Sequence, residues 1–301
     1  MRVAYQGRPG AYSEGAARDA MGAAAELLPC PTLEDVFAAL ADRRASDAVV
    51  PVQNSLAGSV TRAYDLLAAH DVAVTAEVVA RIDHVLAGIP GAEVGSLRRV
   101  LSHPVALAQC ERFFALHPHL EPVPVFDTAG AVEMIIRDGR PDAGAIASRS
   151  AATRHHAAIL LDGVQDAADN FTRFVAIRLA ANYQPPAPHR GPHKTMAVFA
   201  VRNEPGALLT ALGPFAWHGV NLSHLESRPI HGRPFESSFI IEAEHDAGSS
   251  GISAALDRLA AHAVWVKRLG TFPRAAAPRP AHSPIGDIDA RDAATYDEAL
   301  S

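Results

Sequence analysis

The stretch "DNFTRFVAIRL", Asp169 to Leu179, joins a polar cluster to an apolar run of strand character. Side chains alternate along a strand, so Asn170 and Thr172 share one face while Phe171 and Arg173 share the other. A threonine inside a strand is ordinary by propensity. One flanked by Asn170 and Arg173, directly ahead of "FVAIRLA", reads as a hydrogen-bond donor at the edge of a site. Unless the strand is irregular, Arg173 cannot point where Thr172 points.

Upstream, the chain alternates two kinds of segment. "RVAYQ", "DAVVPVQ", "RRVLSH", "EPVPVF" and "AGAIAS" read as strands, and "EGAARDAMGAAAEL", "TLEDVFAALADR", "SVTRAYDLLAAH", "PVALAQCERFFAL" and "TAGAVEMIIRD" as helices. Thr32 and Asp35 make a capping-box pattern, with Val36, Phe37 and Leu40 on one helix face. Alternating units of this kind predict parallel or mixed sheets covered by helices, with ligands beyond the carboxyl ends of strands. The chemistry-bearing residues fall there: Gly7 to Ser13, Gln53 to Ser59, Ser102 and His103, Asp127 and Thr128, and Ser148.

Downstream, "YQPPAPHRGPH" (183–193) is proline-rich and reads as a stiff linker. Strand "KTMAVFAVRN", helix "PGALLTALGPFAWHG", strands "VNLSHLESRPI" and "RPFESSFIIEAEH", helix "ISAALDRLAAHA" and strand "VWVKRLGTF" then spell βαββαβ, a ferredoxin-like unit over 194–272. Residues 273–301 carry few large apolar side chains and are expected to form a flexible tail.

At 301 residues and 49% apolar, the chain is long enough for two or three folded units. A net charge of -6 without a basic stripe argues against nucleic-acid binding. The start, "MRVAYQGRPG", lacks the pattern of a secretion signal, and no 18-residue apolar stretch spans a membrane, so a cytoplasmic protein is expected. Cys30 and Cys110 fit no CxxC spacing and read as small core residues. His117, His119, His155 and His156 lack metal-site spacing, and no metal or cofactor is expected.

Three loops bear on chemistry. "GRPGAYSEG" departs from the dinucleotide fingerprint in spacing, yet a glycine-rich loop opening a helix offers N–H groups to an anion; a plain tight turn explains it equally. "VPVQNSLAGSV" gathers Asn54, Ser55, Gly58 and Ser59 at a strand end, a composition suited to a carboxylate, although turn and N-cap roles account for Asn54 and Ser59 singly. In "LSHPVALAQC", Gln109 follows Ser102 by about two helical turns, so both could face one cleft. His103, with no carboxylate placed to orient it, reads as structural. Neutral donors plus at least one arginine make a site that binds an anion and donates a proton to a leaving group.

In order, "AYQGRPGAYSE", "VPVQNSLAGSV", "VLSHPVALAQC", "DTAGA", "AIASRSAA" and "GVQDAADNFTRF" resemble the prephenate and arogenate dehydratases over residues 3 to 180, with "TRF" as the family hallmark. Residues 194 to 271 resemble the ACT regulatory domain, with "PGALLTAL" and "ESRP" as effector motifs. The resemblance implies two α/β lobes (1–182), similar to type II periplasmic binding proteins, with a cleft between them. It implies decarboxylative dehydration of prephenate, with Thr172, Arg173, Asn54 and Ser55 in the catalytic group and Ser102, Gln109, Thr128, Asn170 and Phe174 around the substrate. It implies an L-phenylalanine site built from Gly206, Ala207, Leu208, Leu209, Asn221, Leu222, Glu226, Ser227, Arg228 and Pro229, and a homodimer or homotetramer through the ACT domains. Gln53 stands where the family has Glu and Val105 where it has Gln, so no acid–base role falls on the first and no polar contact on the second. Arogenate as substrate, or a non-catalytic binding or amino-acid-sensing protein of the same architecture, remain the alternatives.

Overall fold

A computed structural model describes residues 1–185, 191–230, 232–276 and 278. The chain runs β1 (Arg2–Gln6), α1 (Tyr12–Met21), β2 (Glu26–Cys30), α2 (Leu33–Ala41), β3 (Asp47–Asn54), a two-residue β4 (Gly58–Ser59), α3 (Thr61–Ala69) and β5 (Val72–Arg81). It crosses to β6 (Val85–Gly88), β7 (Arg99–Ser102), α4 (Pro104–Ala108), α5 (Glu111–Leu116), β8 (Glu121–Pro124), α6 (Thr128–Arg137), β9 (Ala143–Ala147), α7 (Arg149–Arg154) and β10 (Ala158–Asp162), then returns as β11 (Phe171–Leu179). The C-terminal unit is β12 (Pro192–Ala200), α8 (Ala207–Trp217), β13 (Asn221–Pro229), β14 (Ser237–Asp246), α9 (Ser250–His262) and β15 (Trp265–Pro273).

Two α/β lobes result, as expected. The first carries a sheet in the order β2-β1-β3-β11-β5, with β4 on β3, and the second the order β10-β6-β9-β7-β8. Both are mixed: β1 is parallel to β2 and β3, whereas β11 is antiparallel to β3 and β5. The chain passes between lobes twice, and the two crossings are bonded to each other, Ile82 N–H to the Asn170 carbonyl at 2.8 Å and Val164 N–H to the His84 carbonyl at 3.1 Å. The crossings form one hydrogen-bonded junction, from which β11 emerges, and the lobes also meet at the β1–α1 loop, where Ser148 Oγ donates to the Gly10 carbonyl at 2.6 Å and Arg8 lies 3.5 Å from Asp127.

Local sequence explains most elements. Thr32 and Asp35 form the expected capping box on α2. "PVALAQCERFFAL" is two short helices rather than one, because Gln109 and Cys110 leave the helix and the Asp166 carboxylate accepts from the N–H groups of Glu111 and Arg112 at the start of α5. This break removes the two-turn relation expected between Ser102 and Gln109.

The βαββαβ unit forms an antiparallel sheet in the order β13-β14-β12-β15. One face packs α8 and α9 through Ala197, Phe199, Phe215, Ile241, Leu256 and Leu259. The other face, with Met196, Val198, Ile240, Leu269 and Phe272, shares a core with Tyr64, Leu67, Val74, Val175 and Ile177 of the first lobe. Burial on both faces is why "TMAVFA" in β12 reads as a continuous apolar run. Strand β12 begins at Pro192, so Pro192 and His193 belong to it and not to the expected linker, whose residues 186–190 lie outside the described residues. Pro273 likewise closes β15, while 277 and 279–301 of the expected tail lie outside the described residues.

At Gly270 the junction between the first lobe and the C-terminal unit is tight: φ is +135° and a Cβ would sit 2.5 Å from the Val74 carbonyl oxygen. Gly270→Ala is expected to destabilise the fold by about 1–3 kcal/mol. Chemical denaturation should show a lowered midpoint; an unchanged midpoint would mean that β15 and β5 do not need this close approach.

Candidate active site

A cleft of about 780 Å³ opens between the lobes. The first lobe contributes Gly7, Tyr12, Ser13, Asn54, Gly58, Ser59 and Thr172, and the second His103, Val105, Gln109, Asp127 and Thr128. None of its described lining residues is Lys or Arg. The donors are hydroxyls, amides and the first turns of α1 and α6, which both begin at the cleft.

Thr172 stands at the cleft on β11 opposite Asn54 on β3. The orientation of the Asn54 amide is set by backbone groups that can only donate: Leu56 N–H at 3.0 Å and Ala57 N–H at 2.8 Å both reach Asn54 Oδ1. Asn54 Nδ2 must therefore face Thr172 Oγ1, at 3.0 Å, and Asn170 Oδ1, at 2.8 Å. The polarity propagates. Asn170 Nδ2 donates to Gln109 Oε1 at 2.9 Å, and His84 Nε2 lies 3.1 Å from the same oxygen, which assigns the imidazole proton to Nε2. His84 Nδ1 is then an acceptor, 2.9 Å from the Tyr12 hydroxyl, whose single proton is shared between it and the Asp83 carbonyl at 2.6 Å. Burial pushes the His84 imidazole below its ordinary value, in keeping with a neutral ring, and pushes the Tyr12 hydroxyl well above its own.

For Thr172 the consequence is direct. Its oxygen accepts from Asn54, and among the described residues no acceptor takes its proton, so the O–H is left for the cleft.

Arg173 goes the other way. Residues 172, 174 and 176 face α1, with Phe174 and Ala176 in that core, whereas Val175 and Ile177 lie in the core shared with the C-terminal unit. Arg173 follows the second set: its guanidinium donates twice to Glu242 of β14, at 2.7 Å each, and to Glu77 at 3.0 Å, the Tyr64 hydroxyl at 3.1 Å and Gln53 Oε1 at 3.3 Å. Lys194 Nζ completes the cluster, 2.9 Å from Glu77 and 3.6 Å from Glu242. Burial opposes the charge on Arg173, but the Glu242 carboxylate outweighs it and raises the pKa. Burial would raise Glu77, yet the hydrogen bond and charge of Lys194, the Ala275 N–H and Arg173 hold its carboxyl below the ordinary 4.5.

Several sequence expectations are corrected here. Arg173 does not line the cleft, and neither does Gln53, which faces Arg173. Ser55 Oγ donates to the Asp169 carbonyl and accepts from Phe171 N–H, pinning the entry to β11 without facing the cleft. Ser102 is fully buried and donates to the Ile146 carbonyl inside the second sheet. Phe174 is core. Asn170 is fully buried and acts as the middle of the amide chain. Asn54, Gln109, Thr128 and Thr172 do come together around the cleft, and Val105 lines it as an apolar wall. His103 caps α4 by accepting from Val105 N–H, and burial, countered by Asp127, lowers its pKa. Tyr12 fell within the expected Gly7 to Ser13 stretch, whereas His84 escaped the sequence reading. Its signal was the placement of "RIDH" at the end of a strand, where an α/β fold puts site residues.

In the C-terminal unit, Gly206 takes the left-handed conformation (φ 79°) ahead of α8, and Ala207 and Leu208 line a hollow of about 480 Å³ with Arg202, Asn203 and Glu204. Leu209 and Asn221 are exposed, and Leu222 packs against the core under α8. Arg228 forms a two-pronged pair with Asp65 of α3, at 2.8 and 3.0 Å, and lies near Glu226. Arg228 and Pro229 line a different hollow from Ala207 and Leu208, so one chain does not bring the two motifs to one pocket.

The family model for prephenate dehydratase matches residues 3–182, and the chain belongs to that family. It is 40% identical over 272 residues, covering 90% of this chain and 95% of the relative, to the bifunctional N-acyl-homoserine lactone acylase/prephenate dehydratase of Komagataeibacter europaeus. It is 38% identical over 288 residues, covering 91% of this chain and 69% of the relative, to arogenate dehydratase/prephenate dehydratase 6 of Arabidopsis thaliana. Among solved structures, prephenate dehydratase from Arthrobacter aurescens in complex with L-Phe superposes with a TM-score of 0.85 at 28% identity, covering 100% of this chain and 99% of that one.

The ion cluster makes a pH prediction. Because its folded pKa is depressed, Glu77 contributes stability that is fully present above pH 4.5 and lost as the pH falls through the lowered value. In urea titrations from about pH 5 to about pH 3, Glu77→Gln should start less stable but lose less with acid than the parent. Equal slopes would show that Glu77 is not part of the acid transition.

Proposed function

We propose that this protein is a prephenate dehydratase, converting prephenate to phenylpyruvate, with Thr172 as the proton donor. The observation that carries the reading is the amide polarity around Asn54, which occupies the acceptor side of Thr172 and leaves its proton to the cleft. In the reaction the ring carboxylate leaves as CO2, its electron pair completes the aromatic ring, and the hydroxyl across the ring departs as water. Thr172 Oγ1 donates to that hydroxyl, the Asn54 N–H stabilises the threonine oxygen as its proton moves, and bulk water restores the proton. The substrate's carboxylates are matched to the hydroxyl and amide donors of the cleft and to N–H groups at the start of α1, since the start of α6 is already capped by Asp127 and no Lys or Arg is among the described residues lining the cleft.

Prephenate is favoured over arogenate by the state of Asp127, a cleft carboxylate that would be suited to an ammonium group. It already accepts from Gly130 N–H at 2.5 Å and lies 3.5 Å from Arg8. The acylase named in one relative would call for a nucleophile activated by a base. Thr172 is bonded to an amide donor instead, which supports the dehydratase reading.

The βαββαβ unit is proposed to be an ACT domain that binds L-phenylalanine and regulates the lobes. Gly206, Ala207 and Leu208 would hold the carboxylate at the start of α8, and Glu226 to Pro229 would complete the site across a second copy of the chain. Exposure of Leu209 (77%) and Trp217 (75%) on α8 supports a homodimer or homotetramer formed through this unit. A cytoplasmic location is proposed alongside this biosynthetic role.

Purified protein offered prephenate, arogenate and an N-acyl-homoserine lactone separately, with and without L-phenylalanine, tests the reading. An aromatic product from prephenate is expected; none from either cyclohexadienol would overturn it. Thr172→Val should keep the circular dichroism spectrum while lowering kcat by about 10²–10³. Near-normal turnover would remove Thr172 from the chemistry.

A further inference from the structure

We propose that Glu242, in the C-terminal unit, is a positioning residue for the reaction, acting through Arg173 on Thr172; this rests on the dehydratase reading above. Thr172 and Arg173 are consecutive, so whatever holds the guanidinium on one face of β11 holds the hydroxyl on the other.

The backbone ladder holds this point of β11 regularly on one edge only: against β5 the pairing runs unbroken from Phe171–Arg81 to Ala176–Ala76, whereas the β3 edge is irregular. Against β3, Thr172 pairs with Asn54 and Arg173 with Gln53, but Phe174 pairs with Pro51, so the register slips directly after Arg173. The extra residue, Val52, is in β3, so on that edge β11 lacks a regular ladder bond and side-chain anchorage adds to the β5 ladder in setting its local twist. The anchor here is the two-pronged bond to Glu242, at 2.7 Å on both prongs. Glu242 is 1% exposed in its side chain and Arg173 11%. With little solvent to turn to, the guanidinium must follow the carboxylate or give up its only two-pronged partner for the single bond to Glu77. The remaining partners close the charge balance: Glu77 accepts from both Arg173 and Lys194, and Lys194 lies within reach of Glu242.

The far end of this link is also at an irregular place. Strand β13 pairs Leu222 with Ala243 and His224 with Glu242, so its register slips opposite Glu242. The same strand continues into Glu226–Pro229. A shift of β13 on β14 would therefore be felt first at Glu242, then at Arg173 and Thr172. The C-terminal unit is in this sense a structural part of the active site.

The link is separable from mere docking of the unit, because a second polar tie crosses the same junction. Lys267 Nζ donates to the carbonyls of Leu67 and Ala68 at 3.1 and 3.0 Å, touching neither Arg173 nor the cleft. Glu242→Gln is expected to lower kcat by about 10- to 100-fold with KM nearly unchanged, the signature of a displaced catalytic group. Lys267→Met should lower the melting temperature while keeping kcat. In an Arg173→Gln background, Glu242→Gln should cost no further kcat. Wild-type kcat in Glu242→Gln, losses that multiply in the double variant, or an equal loss in Lys267→Met would each overturn the proposal. Amide hydrogen exchange over residues 54–57 and 170–174 reads the same displacement without substrate. Faster exchange is expected in Glu242→Gln but not in Lys267→Met, and unchanged exchange overturns the proposal. A wild-type protein inactive on both cyclohexadienols would instead count against the dehydratase reading alone.

Discussion

Thr172 and Arg173 are neighbours on one strand, and the two-residue period of that strand sends them to opposite faces. Much of the molecule is arranged around this constraint. On one side stands the cleft with its neutral donors; on the other stands a buried cluster of Arg173, Lys194, Glu77 and Glu242 that joins the first lobe to the C-terminal unit. A hydroxyl and a guanidinium that look like joint site residues in the sequence are divided between chemistry and support. Burying four charges is costly unless each is paired and hydrogen-bonded, and here each of them is.

The cleft side depends on a second ordering, that of amide groups. An asparagine amide can be turned either way, but two backbone N–H groups cannot become acceptors, and they impose one direction on Asn54. Asn170, Gln109 and His84 then follow in turn. Because Tyr12, Asn54 and Asn170 belong to one lobe and its junction, and Gln109 to the other, the chain of bonds also ties the lobes together beside the hydroxyl it orients. A connected polar network of this kind holds its members in one arrangement while leaving the Thr172 proton free, which is what proton donation at a defined atom requires.

Much of the fold was legible in advance because its signals are local. The capping box at Thr32, the loops after β1, β3, β7 and β8, and the βαββαβ order each follow from periodicity and turn chemistry within a dozen residues. The site was legible in part. Asn54, Gln109, Thr128 and Thr172 reach the cleft, but Ser102, Ser55 and Phe174 do not, since a serine at a strand end can as well donate to a neighbouring carbonyl, and Phe174 follows Thr172 onto a face covered by α1. Gln109 lies at the cleft for a reason other than the expected one: it ends a five-residue helix instead of lying two turns along a longer one.

What the sequence by itself determined is therefore the βαββαβ unit, most helices of the lobes and their strands β1, β3, β7, β8, β9 and β11, though not β2, β5, β6 or β10, together with the alternation that parts Thr172 from Arg173 and membership in a dehydratase-like pattern. What only the tertiary structure decided is which group meets which across the chain. Glu242 lies 69 residues from Arg173, and His84 lies 25 from Gln109. Nothing in the local sequence of Glu242 marks it as a partner of β11. A carboxylate on a strand looks the same whether it faces water or a guanidinium, and only the packing of one sheet on another removes the water and makes the pair obligatory.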